Sequence, residues 1–69
     1  MKKKKGTFLV YYYPVKGKEV LVGRYSSHDE ANKVSDEVFA KMEKEIYYVA
    51  VADTSDKEVA KLMKQKGFI

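Results

Sequence analysis

The sequence predicts an α+β fold: a two-layer sandwich of ββαβα order, in which a three-stranded sheet of spatial order 2-1-3 carries both helices on one face. Three observations predict it. Thr7 to Tyr13 and Glu19 to Tyr25 are rich in aromatic and β-branched residues and flank a Lys16-Gly17 turn, the pattern of an antiparallel hairpin. Ser27 to Glu30 (SHDE) and Ser55 to Glu58 (SDKE) each have the Ser-x-x-Glu spacing of a helix capping box. Between the two boxes lies Ile46 to Ala52, IYYVAVA, an uncharged run that reads as a well-buried third strand.

In the hairpin, a two-residue loop pairs Val10 with Gly23 and Phe8 with Tyr25, whereas a three-residue loop pairs Val10 with Val22. A slip of one residue exchanges the faces of one strand, so the sequence leaves open which of Leu21 and Val22 is buried. Pro14 has no N–H and belongs near the turn or on an unpaired side. Gly23, inside a strand pattern, marks a bulge or the close approach of another backbone such as the first helix.

Ala31, Val34, Val38 and Met42 recur at intervals of three and four and form the apolar stripe of the first helix, with Ser35 and Phe39 on its flank. Val59, Leu62, Met63 and Lys66 follow at helical intervals in the second. Gly67 stands where a left-handed residue ends a helix, which folds Phe68 back onto Met63. The helix joining strands two and three makes them parallel through a right-handed crossover, and strand one between them makes each neighbouring pair antiparallel. With both helices on one face, some of the alternating Tyr11, Tyr12 and Tyr13 fall on the other, joined by Tyr47 or Tyr48.

With 69 residues the chain makes one domain, read as a basic flexible tail at 1–6 and a folded unit at 7–69. Cysteine is absent, so neither disulfides nor thiolate zinc supplies stability, which fits a reducing cytoplasm. The apolar run after Lys2 to Lys5 is short and broken by Pro14, which reads as no export signal and no membrane span. Those four lysines account for the whole net charge of +4. Further along, Lys16, Lys18 and Arg24 make the hairpin basic, with Glu19 its lone acid, while the first helix is acidic.

No catalytic, metal or cofactor constellation stands out, and the expectation is a non-enzymatic protein without cofactors. His28 is the only histidine and sits in a first helical turn beside Asp29, where it tunes the cap or is solvated. Asp53 and Asp56 flank a helix start, which favours acids. Lys57, Lys61, Lys64 and Lys66 are spaced for a solvated face.

What remains is a basic tail and hairpin beside exposed tyrosines. Cations neutralise phosphates and tyrosine faces stack on bases, so the expected function is nucleic-acid binding through Lys2, Lys3, Lys4, Lys5, Tyr11, Tyr13, Lys16, Lys18 and Arg24. The alternative is a protein-interaction, inhibitor or self-associating structural module, with a homodimer through the open sheet face. A designed or minimal fold without a natural ligand is a further reading, since local signals agree across levels.

From Gly6 to Met42 the chain resembles the AP2-like DNA-binding segments of phage-type integrases and plant transcription factors. The matching residues are Gly23, Tyr25, Ser26, Ser27, Glu30 and Ala31, at the hairpin exit and helix start. The same strand-cap-helix phrase is similar to that of SPOR-like septal domains. The AP2-like resemblance implies a sheet face in the DNA major groove with Arg24 and the hairpin lysines as contacts, and no strand cleavage, because no recombinase active-site portion is present.

Overall fold

The computed structural model describes residues 7–69. The tail at 1–6, and with it Lys2 to Lys5, lies outside the described residues. Strands β1 (Phe8–Pro14) and β2 (Val20–Tyr25) precede helix α1 (His28–Met42), strand β3 (Ile46–Asp53) and helix α2 (Lys57–Gln65). The sheet order is β2-β1-β3 with both pairs antiparallel, as the ββαβα pattern predicts.

Both hairpin registers left open by the sequence are realised, one on each side of a bulge. Phe8 pairs with Tyr25 and Val10 with Gly23, but Tyr11 then pairs with Leu21, leaving Val22 as the extra residue. Leu21 thereby packs against the core on the Tyr11 side. The close neighbour of Gly23 is a side chain, not the backbone of α1: a Cβ there would meet the Tyr25 hydroxyl at 2.8 Å.

Ser27 caps α1, its hydroxyl accepting from the Glu30 amide at 3.1 Å. The cap of α2 falls one residue later than the sequence spacing indicates. Asp56 takes it, accepting from the amides of Glu58 and Val59, while the amide and hydroxyl of Ser55 both donate to Asp53. A carboxylate satisfies two orphan amides and complements the helix dipole, which a serine hydroxyl does less well. At the other end of α2 the expected turn forms: Gly67 has φ +83, and the Phe68 amide donates to the Met63 carbonyl at 2.9 Å.

The placement of the helices differs from the one-faced sandwich. Leu9 and Val10 are adjacent on β1, point to opposite faces, and both are 0% exposed. On the Leu9 face, Leu9 and Ala52 form a cluster with Met63 of α2, joined by Tyr11, Leu21, Val59 and Phe68. Helix α1 covers the other face, touching all three strands, with its first residue His28 against Phe8, two positions from Val10. The two helices make no contact with each other. The fold is therefore three layers, α1, sheet and α2. A single covered face would have left Leu9, Leu21 and Ala52 in water, and the crossover rule that directs α1 says nothing about a helix with no strand after it.

Strand β3 is also less buried than expected. It lies at the sheet edge, and α2, with nine residues, is about 14 Å long against roughly 26 Å for β3. The end of the Leu9 face farthest from Asp53 thus stays open, and Tyr47 and Tyr48 are exposed there.

Burial on both sides of β1 has a measurable consequence. Leu9→Ala is expected to cost about 2–5 kcal/mol and Val10→Ala about 2 kcal/mol in urea unfolding. A sheet with one open face would show one of these substitutions near neutral.

Candidate nucleic-acid interface

The exposed aromatic surface arises from a second bulge. Tyr13 pairs with Tyr48, but Pro14 pairs with Ile46, so Tyr47 is an extra residue on β3. A bulge turns two successive side chains toward one partner. The Tyr13 ring accordingly lies 5.4 Å from the Tyr47 ring and 5.6 Å from the Tyr48 ring, both tilted. All three are exposed, Tyr47 most of all at 62%.

This triad sits at the pole where the loops and helix ends converge. The Val15 amide donates to the Glu45 carbonyl at 2.9 Å, joining the hairpin loop to the turn before β3. The Lys66 ammonium at the end of α2 reaches both carboxylate oxygens of Glu19 at 2.8 Å. An open cleft of about 480 Å³ results, lined by Tyr13, Lys18, Glu19, Gln65, Lys66 and neighbours. Lys18 is exposed on its wall, and the exposed Lys16 and Lys44 line a separate hollow with Tyr12 and Met42 at the end of α1. The opposite pole holds both helix N-termini with Asp29, Glu30, Asp56 and Glu58, while Glu43 and Glu45 stand with Lys41 and Lys44 at the end of α1.

The Glu19–Lys66 pair organises the cleft. Each side chain is about one-fifth to one-quarter exposed. The hydrogen bond to Glu19 holds the Lys66 ammonium above its ordinary pKa, against the cost of its partial desolvation. Glu19 also accepts a long hydrogen bond, 3.4 Å, from the Tyr48 hydroxyl. Desolvation first, then the Glu19 charge, pushes the Tyr48 phenol above its ordinary value. At the far pole, the hydroxyl and then the amide of Ser55 lower the Asp53 pKa.

Of the residues singled out in the sequence, Tyr13 and Lys18 come together here, while Lys16 lies in the same hairpin loop beside Tyr12 and Met42. Tyr11 does not: its ring lies under Phe68 at 5.4 Å, with the Lys66 ammonium 5.8 Å from its centre, and it is half-buried. Arg24 pairs with Leu9 near the far pole, roughly 13 Å along β2 from Val20. Lys66 leaves the expected solvated face to bind Glu19. Sequence reasoning missed this pair, whose signals were a lone acid in a basic hairpin and a lysine on the apolar stripe of α2. The sheet face that an AP2-like arrangement would offer to a groove carries α2 over its Leu9 half.

Among the described residues, no group of three or more His, Cys, Asp or Glu could hold a metal ion, and no helix is long and apolar enough to cross a membrane. Compared with protein-family models, with curated proteins and with solved structures, the chain matches none.

Two pH effects follow from the cleft. The Lys66 and Tyr48 pKa values are raised on folding, so their stabilisation is complete below the ordinary lysine and tyrosine ranges and is lost as pH rises through the folded values. Glu19→Gln is expected to cost about 1 kcal/mol at neutral pH and to flatten the alkaline loss of stability. Urea unfolding at neutral and alkaline pH checks both; an unchanged alkaline profile would discount the pair.

Proposed function

We propose that the chain is a small non-enzymatic module that binds single-stranded nucleic acid at its basic, aromatic pole. The observation that carries this reading is the exposed triad of Tyr13, Tyr47 and Tyr48, with Lys18 lining the cleft beside Tyr13 and Lys16 two residues before it in the hairpin loop. Tilted aromatic faces stack on bases of any identity, and flanking ammonium groups take the phosphates. A single strand suits the site better than a duplex, because stacking needs a base edge freed from its neighbours and the triad spans only the end of the sheet. Lys66 supports the reading in a second way. By pairing with Glu19 it neutralises the carboxylate that accepts from Tyr48, which would otherwise repel a phosphate.

The chain has six tyrosines and no tryptophan, so tyrosine fluorescence reports on the site. Oligonucleotide titration is expected to quench it, with affinity falling as salt rises. Tyr47→Ala should weaken binding by about tenfold, the lower part of the 1–3 kcal/mol range for one stacked base. Removing Lys16 and Lys18 together should lower the salt slope by about 1.4, at roughly 0.7 per phosphate contact. Absence of binding at low salt by the folded protein would overturn the proposal.

A further inference from the structure

Among the described residues, the outer edge of β3 has no strand beside it. Edge strands are ordinarily protected by lysine, proline, bulges or shortness. In this sheet those devices lie on β2, which has six residues, includes Arg24 and is bulged at Val22. Strand β3 has eight residues and no charge from Ile46 to Ala52, and beyond its bulge at Tyr47 its pairing is regular from Tyr48 to Asp53.

Helix α1 presents a matching flank. His28 lies against Phe8 and close enough to Asp53 to favour its carboxylate, so this side of α1 faces β3. Asn32, Ser35 and Phe39 follow at intervals of four, three and four, which keeps them on that side of the helix. Asp36, four residues after Asn32 and three before Phe39, borders this flank, and Phe39 within it is 47% exposed.

We infer that the β3 edge and the Phe39 flank of α1 form a two-fold interface with a second copy of this chain, joining the two sheets into one of six strands. Charge selects the register. A two-fold axis normal to the sheet pairs residues of the same face, and centring it on Val49 would set Glu45 against the partner's Asp53. Centring it on Val51 sets Val49 against the partner's Asp53. Centring it on Ala50 sets Tyr48 against the partner's Ala52 and Val49 against the partner's Val51, with like charges apart and the Tyr47 bulge outside the paired run. The small Ala50 side chains meet at the axis. This interface uses the sheet edge and α1, and stands independently of oligonucleotide binding at the tyrosine pole.

Sedimentation equilibrium should show a concentration-dependent dimer, and Phe39→Glu should raise its Kd by at least about tenfold. Ala50→Cys supplies a test that does not depend on that variant. Residues opposed across an antiparallel pair have Cα atoms about 4.5–5.5 Å apart, inside the disulfide range. The chain has no cysteine of its own, so Ala50→Cys should cross-link on mild oxidation while the exposed Leu62→Cys on α2 should not. A wild-type protein monomeric to about 1 mM, or equal cross-linking at positions 50 and 62, would overturn the inference.

Discussion

The structure depends on the burial of β1 from both sides. Leu9 and Val10 are neighbours in the chain and opposites in the sheet, and neither can be dry unless each face has its own cover. Among the described residues there are two helices to supply that cover, and each takes one face. The cost of this arrangement is that each layer is thin. Beneath α2 the buried core is Leu9, Ala52 and Met63, completed by the half-buried Tyr11, Leu21, Val59 and Phe68.

That division also creates the candidate site. Helix α2 is too short to run the length of the sheet, so it shields Leu9 and stops near Tyr11, where Phe68 folds back to close the layer. Beyond Phe68 the sheet continues without a roof, and the bulge at Tyr47 gathers three rings on the uncovered end. The Glu19–Lys66 pair links the end of α2 to the hairpin, which holds the boundary between the dry and wet halves of that face. Exposure of the tyrosines is thus a result of helix length and bulge position together.

The two helices end at the same pole, where their terminal carbonyls favour cations, and lysines stand there: Lys41 and Lys64 in the last turns, Lys66 at the cap. Acids gather at the N-termini for the complementary reason. Both poles nevertheless carry both signs, since Glu43 and Glu45 stand with Lys41 and Lys44 at the end of α1. Arg24 does not join the hairpin lysines, because β2 runs away from the turn and carries it to the other pole.

The elements themselves were legible in the sequence, because caps, turns and hydrophobic period are local. The Ser27 cap, the Val34 to Met42 stripe, the left-handed Gly67 and the 2-1-3 strand order all follow from spacing within short segments or from the crossover rule. The unbroken apolar run of β1 also signalled burial on two faces, although its tyrosines invited a one-sided reading. Only the tertiary structure decided the side taken by α2, the change of register at Val22, the grouping of Tyr13 with Tyr47 and Tyr48, and the union of Glu19 with Lys66. The physical reason is common to all four. Each depends on residues distant in sequence competing for the same surface, and local propensity does not register which of them reaches it first.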